Sequence, residues 1–139
     1  MWFKSNKSQS TDRTTHPKTH QKTRQTTRQK GDVIEVAAQN FLRTKGLRPV
    51  TRNYLIKGGE IDLVMRDGEV LVFIEVRFRQ STDHGSGAET VTYQKQRRLR
   101  RAALHYLQKH YGNHEPDCRF DVISAHGTPV VFDWIPNAF

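Results

Sequence analysis

Two runs of β-branched, aromatic and aliphatic residues flank an Asp-Gly dipeptide in the middle of the chain. The runs cover residues 60–66 and 69–79, and Asp67 and Gly68 lie between them. Asp-Gly in this setting is a strong hairpin signal, because a two-residue type I′ turn needs positive φ at both central positions. We therefore predict an antiparallel hairpin here, and the rest of the fold must be built around it.

Two helices and three further strands are predicted on either side of this hairpin. Apolar residues recur at three- and four-residue spacing in residues 31–45 and 92–111, which is typical of amphipathic helices. The other strands are predicted at residues 50–54, 119–125 and 130–135. The order α-β-β-β-α-β-β predicts an α/β domain with one core flanked by helices.

The N-terminal segment has a different composition. Residues 1–30 hold eight Lys or Arg and one Asp, a net of +7 within the formal net charge of +9. No Leu, Ile, Val, Phe, Met or Ala lies between Lys4 and Lys30, and a segment that buries no apolar area is expected to be disordered. We predict a disordered basic tail at 1–30 and a folded domain at 31–139. The tail has three interpretations: a solvated segment without a specific task, an arm that holds nucleic-acid phosphates, and an organelle transit peptide.

Several classes of protein are excluded by composition. No apolar run approaches the ~18 residues that a membrane helix needs. A secretory signal is excluded because Lys4 is not followed by an apolar stretch. Cys118 is the single cysteine, so it has no disulfide partner within the chain. A single cysteine fits a reducing compartment. We predict a cytoplasmic protein without membrane association, with Cys118 in the core.

Acidic residues face one another across the predicted hairpin. With an Asp-Gly loop, Glu60 lies directly opposite Glu75, and Asp62 lies diagonal to Glu75 at roughly 7–8 Å. Like charges in such positions are destabilising unless a positive charge intervenes. A Mg²⁺ ion bound by carboxylate oxygens would relieve the repulsion, and Arg77 would add a positive charge on the same face. The alternative is a solvated face of salt bridges without a metal.

The second predicted helix is strongly basic near its start. Five cations occur within seven residues: Lys95, Arg97, Arg98, Arg100 and Arg101. Spacings of three and four place Arg97, Arg98 and Arg101 in one stripe, whereas Lys95 points nearer to the helix start and the acids. The stripe is either a solvated helix face or a phosphate-binding surface. In the second case the predicted nucleic-acid-binding residues are Lys95, Arg97, Arg98, Arg101 and Arg79.

Six segments of the chain resemble one protein family. They are EVAA at residues 35–38, RNY at 52–54, GEIDL at 59–63, FIEVR at 73–77, VT with Lys95 at 91–95, and RFDV at 119–122. Together they resemble the YraN family, a largely uncharacterised bacterial family whose members are described as candidate endonucleases. The resemblance covers residues 31 to about 125 and excludes the tail.

This resemblance implies the restriction-endonuclease-like fold, also called the PD-(D/E)xK fold. That fold has an αβββαβ core, in which helices flank a central mixed sheet, and it is shared with the archaeal Holliday-junction resolvases. Matching motif to motif, Glu35 would be the helix acid, Asp62 the metal-binding Asp and Glu75 the acid of the final pair. These three would coordinate Mg²⁺ or Mn²⁺. Arg77 would be the fourth catalytic residue, at the position where the family usually has Lys.

The implied function is a metal-dependent endonuclease, or a nuclease-like DNA-processing protein, that hydrolyses phosphodiester bonds. DNA is the implied partner, with branched DNA as one substrate and a homodimer as the assembly, by analogy with the resolvases. Arg77 departs from the family pattern, and an arginine cannot act as a general base because it stays charged. The alternative function is therefore a non-catalytic nucleic-acid-binding protein with a degenerate nuclease site. A third is an interaction module for an acidic protein.

Three further residues have more than one interpretation. Glu35 follows Asp32 at the spacing of a capping box, so it is a helix cap, a metal ligand or both. Asp121 is predicted to be structural, as a partner of Arg119 or of a helix end. His84, in a Gly-rich loop, is expected to be exposed to solvent, with a role as proton shuttle as the alternative.

Overall fold

The structure is a computed structural model that describes residues 19–79 and 91–139, with side chains from residue 27 onward. Its elements are α1 (Thr19–Thr44), β1 (Arg48–Ile56), β2 (Gly59–Asp67), β3 (Val70–Arg79), α2 (Tyr93–Tyr111), β4 (Cys118–His126) and β5 (Val131–Ile135). Within the described ranges this is the predicted order. His84 and the Gly-rich loop around it lie outside the described residues.

The strands form one mixed sheet in the order β1-β2-β3-β4-β5. The β1–β2, β2–β3 and β4–β5 pairs are antiparallel, whereas β3 and β4 are parallel. A parallel pair needs a crossover connection, which α2 provides. The predicted α/β fold with a central mixed sheet and flanking helices is therefore confirmed. No helix in the described part of the chain is both long and apolar enough to cross a membrane.

The two helices cover opposite faces of the sheet, and each face has its own core. Leu42 of α1 belongs to a buried cluster with Ile74, and Leu99 of α2 belongs to a second cluster with Phe73. Because successive residues of a strand point to opposite faces, β3 separates the two clusters. The site described below lies where both helices approach the same pair of strands.

The second helix forms as predicted. Thr92 is its N-cap, and the Thr92 hydroxyl oxygen accepts a hydrogen bond from the backbone N–H of Lys95 at 3.2 Å. The helix is followed by Gly112, as the sequence predicts. Its buried residues are the predicted apolar stripe: Leu99, Ala102, Ala103, Tyr106 and Leu107. Lys95 and the arginines are consequently held on the remaining faces of a well-anchored helix.

The first helix differs from the prediction at its start. It begins at Thr19 rather than at Gly31, so the predicted start of the helix is wrong, and α1 includes residues that were assigned to the tail. Gln, Lys and Arg are good helix formers, and extending a helix that is already anchored by its buried residues needs no new nucleation. Asp32 therefore lies in the helix interior and caps nothing. Residues 1–18 lie outside the described part of the chain.

The β2–β3 hairpin forms, but its register differs from the prediction. Asp67 is the last paired residue of β2, so the loop residues are Gly68 and Glu69. Among these three residues only Gly68 has positive φ, at 58°, which is the pattern of a type II′ turn rather than of type I′. Each residue of β2 therefore faces a partner two positions further along β3 than predicted. The prediction that Glu60 lies directly opposite Glu75 is wrong for this reason.

Asp121 on β4 anchors the C-terminal part of the chain. Its side chain is 0% exposed and accepts hydrogen bonds from Arg119 Nε at 3.0 Å, Trp134 Nε1 at 3.0 Å and the backbone N–H of Asn137 at 2.9 Å. The prediction that Asp121 is structural and paired with Arg119 is therefore confirmed. The predicted place of Cys118 in the core is wrong, because β4 begins there and leaves the residue exposed.

Candidate active site

The strands β2 and β3 separate at Asp62. Their pairing ends at Leu63 and Ile74, although β2 remains paired with β1 as far as Gly59. Ile61 packs in the α2 cluster and Leu63 in the α1 cluster, whereas strand residues two apart normally share a face. The strand therefore twists at Asp62, and a gap opens there between β2 and β3.

One side-chain hydrogen bond crosses this gap. The backbone N–H of Val76 donates to Oδ2 of Asp62 at 2.8 Å, where a regular ladder would use a backbone carbonyl. Glu75 precedes Val76 and is only 6% exposed. Continuing the register beyond Leu63 and Ile74 places Asp62 beside Glu75, so the two acids lie closer than the predicted diagonal.

The environment of Asp62 favours its protonated form. Burial and then the carboxylate of Glu75 raise the pKa of Asp62 to about 8, against the opposing effect of the Val76 N–H. Oε2 of Glu75 is buried and has no hydrogen-bond partner among the described residues. A protonated Asp62 can donate to Glu75, and this bond further raises the pKa of Asp62. Two buried acids with few hydrogen-bond donors around them account for the raised pKa of Asp62.

Glu35 lies near this pair, on α1. Burial raises the pKa of Glu35, a hydrogen bond from the Asn53 side chain lowers it, and the charges of Asp32 and Glu60 raise it further. Oε2 of Glu35 is buried without a hydrogen-bond partner in the described part of the chain. Because α1 begins at Thr19, Glu35 is far from the first turn and the capping interpretation is wrong.

The predicted three-acid centre is therefore only partly assembled. Asp62 and Glu75 lie side by side on adjacent strands, and both Glu75 and Glu35 are near enough to raise the pKa of Asp62. Within residues 19–79 and 91–139, however, no three His, Cys, Asp or Glu side chains converge closely enough to hold a metal ion. The structure brings together two of the predicted ligands and leaves the third beside them.

The carboxylate oxygens of Glu35, Asp62 and Glu75 still suit a hard divalent cation. Glu35 and Glu75 each have a buried carboxylate oxygen that no described donor satisfies. Mg²⁺ is commonly bound through one or two carboxylates and keeps several of its waters. A cation bound at Asp62 and Glu75 would therefore pair with the unpaired oxygen of Glu75. It would also relieve the electrostatic repulsion between the two carboxylates.

Positive charge reaches the pair from β3 and α2. Lys95 Nζ lies 3.2 Å from Oε1 of Glu75, with 39% of the Lys95 side chain exposed. Arg77 is half-buried on β3, two residues beyond Glu75. Both line an open cleft of about 360 Å3, here called the acid cleft, together with Glu75 and Thr92. A ligand in the acid cleft would meet an acid, an ammonium and a guanidinium group.

Two further clefts continue from the acid cleft along α2. The turn cleft, of about 360 Å3, lies between the β1–β2 turn and α2 and is lined by Gly59, Glu60, Lys95 and Arg98, among others. The arginine cleft, of about 410 Å3, is lined by Gly58, Gln94, Arg97, Arg98 and Arg101. Lys95 is shared by the first two clefts, and Arg98 by the last two. The three form one track from Glu75 to the arginine stripe.

All of the predicted nucleic-acid-binding residues except Arg79 lie along this track. Arg97, Arg98 and Arg101 are exposed, and none forms an ion pair with a described residue. Arg79 is half-buried near the end of β3 and lines none of the three clefts. Arg100 has a different place, since its guanidinium carbon lies 5.2 Å from the ring centre of Phe120. The stripe of three arginines is thus a cationic surface that is available to a ligand along the track.

A glycine holds the turn against α2. A Cβ atom on Gly59 would lie 2.6 Å from the backbone oxygen of Arg98, closer than real Cβ contacts allow. Only glycine permits this approach, which gives a physical reason for the first residue of the GEIDL segment. The contact places the β1–β2 turn directly against α2 at the turn cleft.

Sequence reasoning missed Asn53 as part of the site. Asn53 has φ 52°, and the pairs Arg52–Leu63 and Tyr54–Ile61 place it opposite Asp62 in the β1–β2 ladder. Its side chain also hydrogen-bonds Glu35. The available signal was an asparagine inside a predicted strand, since asparagine tolerates positive φ better than most residues.

Comparisons with known proteins identify relatives over nearly all of the described domain. The model of the uncharacterised protein family UPF0102 matches residues 34–125. A UPF0102 protein of Aeromonas hydrophila is 51% identical over 111 residues, which are 79% of this chain and 84% of that protein. A UPF0102 protein of Enterobacter sp. strain 638 is 47% identical over 112 residues, 80% of this chain and 84% of its own. One from Xanthomonas campestris pv. campestris is 46% identical over 111 residues, 80% of this chain and 91% of its own.

Proposed function

Since the chain belongs to the uncharacterised protein family UPF0102, the YraN family, we propose that it is a metal-dependent endonuclease. The fold proposed is the restriction-endonuclease-like fold, and the substrate is the phosphodiester backbone of DNA. One observation carries this proposal: two carboxylates share a buried gap between strands, and the gap adjoins a track lined by cations. A phosphodiester backbone is the polymer whose charge fits such a track.

The carboxylates are proposed to bind the cation. Asp62 and Glu75 would hold Mg²⁺ or Mn²⁺, with Glu35 as the third acid at a greater distance. When bound, such a cation activates water and neutralises charge on the phosphate. The proton on Asp62 must leave before the cation binds, because a ligating carboxylate is ionised.

The cations of the chain are proposed to hold and orient the backbone. Arg77 can donate two parallel hydrogen bonds to one phosphate through its planar guanidinium group. Arg97, Arg98 and Arg101 would contact neighbouring phosphates along the arginine cleft. Such contacts position the nucleic acid without reading its bases, so we expect little sequence specificity from them.

A cleavage assay tests the proposed function. The purified protein is incubated with duplex, single-stranded and four-way-junction DNA and with single-stranded RNA, in Mg²⁺, Mn²⁺ or EDTA. We expect cleavage of at least one DNA only with the metals, and a loss of at least ~100-fold in Asp62→Ala. Glu115→Ala is the matched control, because Glu115 is an exposed acid outside the clefts. Cleavage that persists in EDTA, or that Asp62→Ala leaves unchanged, contradicts the proposal.

A second candidate is a nucleic-acid-binding protein without catalytic turnover. It is favoured by the absence of a third converging acid within the described ranges and by the raised pKa of Asp62, which disfavours the ionised form that a metal ligand needs. It predicts binding that weakens steeply with salt, and a slope of log K against log salt that falls by about 1 in Arg98→Gln. Salt-sensitive binding without cleavage of any substrate would select it over the nuclease.

A further inference from the structure

We propose that Lys95 is a catalytic residue whose ammonium group contacts the phosphate that is cleaved. This rests on the proposed function and adds a residue from α2 to a centre otherwise built on α1, β2 and β3. The group that neutralises the reacting phosphate would then come from a helix, whereas Arg77 on β3 serves to orient the backbone.

The position of Lys95 at the junction of two clefts supports this role. Lys95 lines the acid cleft with Glu75 and Arg77, and it also lines the turn cleft with Glu60 and Arg98. No other described residue lines both of these clefts. A backbone that follows the track from the arginine cleft to the acids must pass its ammonium group.

The contact with Glu75 shows that this ammonium reaches the acids. Nζ lies 3.2 Å from Oε1 of Glu75, and the Lys95 side chain is 39% exposed while that of Glu75 is 7% exposed. Thr92 caps the helix start three residues earlier, which anchors the backbone of Lys95. The long side chain can therefore turn from Glu75 towards a phosphate without movement of the helix.

The chemistry of the reaction explains why an ammonium group is suited to this place. A water oxygen forms a bond to phosphorus, and the bond from phosphorus to one ester oxygen breaks. The electron pair of that bond stays on the departing oxygen, which takes a proton from solvent, and the water gives its extra proton to solvent. Negative charge increases on the non-bridging oxygens, and a compact ammonium with three donors can stabilise it.

Replacing the ammonium separates catalysis from metal binding. In Lys95→Met we expect kcat to fall by at least ~100-fold, with Mn²⁺ affinity, measured by electron paramagnetic resonance, unchanged or higher. Removal of a positive charge 3.2 Å from Glu75 favours a cation at that acid. Lys95→Arg should retain activity within about 10-fold, because it keeps the charge. Lys109→Met is the matched control, since Lys109 is an exposed lysine near the other end of α2.

Chemical restoration of the amine gives the sharpest test. In a Cys118→Ser background, Lys95→Cys holds the single cysteine of the chain, and 2-bromoethylamine converts it to a thioether analogue of lysine. We expect this treatment to restore at least a tenth of the wild-type rate, and iodoacetamide to restore none.

Three outcomes would overturn the role of Lys95. They are full activity in Lys95→Met, loss of Mn²⁺ binding in parallel with activity, and no recovery after 2-bromoethylamine with the alkylation verified by mass. Parallel loss of Mn²⁺ binding would mean that Lys95 only holds Glu75 in place. If the wild-type protein cleaves nothing, the proposed function fails together with this inference, whereas a cleaving wild type with an equally active Lys95→Met overturns the inference alone.

Discussion

Two regions of one sheet bury carboxylates, and they do so in opposite ways. Asp121 on β4 is fully buried and accepts hydrogen bonds from Arg119, Trp134 and Asn137. Asp62 and Glu75, at the gap between β2 and β3, have one amide donor and one ammonium between them, and one oxygen remains unpaired. A buried acid is thus not by itself a sign of function. The number of donors around it distinguishes a structural acid from an incomplete site that a ligand can complete.

The largest effect is expected when the structural acid is removed. Asp121→Ala leaves Arg119 with Asp67 as its remaining acid and leaves the Trp134 indole and the Asn137 N–H without an acceptor. Breaking a buried charged pair costs about 3–5 kcal/mol, so we expect the free energy of unfolding in urea to fall by that amount. Mn²⁺ affinity should remain unchanged if the variant is measured below its unfolding transition. A small loss of stability would show that the two regions are less different than their hydrogen bonds indicate.

The next effect is stabilisation of the protein by a divalent cation. If Asp62 and Glu75 form the incomplete site, Mn²⁺ at 100 times its dissociation constant should raise the free energy of unfolding by about 2.7 kcal/mol. Differential scanning fluorimetry with Mn²⁺ and with Na⁺ at equal ionic strength measures it. Glu75→Gln should abolish the increase and Asp121→Asn should retain it. An increase of equal size in Glu75→Gln would place the cation elsewhere.

A smaller effect concerns the pH dependence of stability. The pKa of Asp62 is about 8 in the folded protein, against about 3.9 in an unfolded chain. Between these values the folded state holds a proton that the unfolded state lacks, so this group makes the free energy of unfolding fall as pH rises from about 4 to about 8. Asp62→Asn removes that contribution.

Urea unfolding at pH 5, 7 and 9 measures the difference between Asp62→Asn and the wild type. We expect the free energy of unfolding of the variant, relative to that of the wild type, to increase as pH rises. At pH 9 the variant should be more stable by at least ~1 kcal/mol. Parallel curves for the two proteins would show that Asp62 carries no extra proton in the folded state.

The smallest effect distinguishes the two acids that bind Arg119. Asp67 lies 3.0 Å from Arg119 but its side chain is 45% exposed, whereas that of Asp121 is 0% exposed. Exposed ion pairs contribute about 0–1 kcal/mol, so Asp67→Asn should change the free energy of unfolding by no more than that. A loss as large as that of Asp121→Ala would mean that the Arg119 network acts as one unit.

Local pattern was sufficient to predict much of the fold. The apolar stripe of α2 could be predicted from the sequence, because its apolar residues recur at helical spacing and are all buried on one face of the helix. The start of α1 could not, because residues 19–30 have no apolar periodicity in the sequence and their helix extends one that is anchored further along the chain. Composition indicates that a segment cannot form a core of its own, but it does not show whether a neighbouring helix continues into that segment.

The candidate site was predictable in its residues and not in its geometry. Acids on adjacent strands are visible in the sequence, but their register depends on the turn type, which is decided by Gly68 at the first loop position. The twist at Asp62 and the positive φ of Asn53 depend on three-dimensional packing that no spacing reveals. The exclusion of Glu35 as a cap followed only from where α1 begins.

The close approach of Gly59 to Arg98 has a consequence for how a nucleic acid would be bound. Because the β1–β2 turn and α2 meet without room for a Cβ atom, the two walls of the turn cleft are packed directly against each other. If nucleic acid binds there as proposed, the protein would give up little conformational entropy, and the bending needed for a good fit would fall on the nucleic acid. A flexible or interrupted duplex would deform at lower cost than a regular one, so mechanical compliance rather than base sequence would decide which substrate enters.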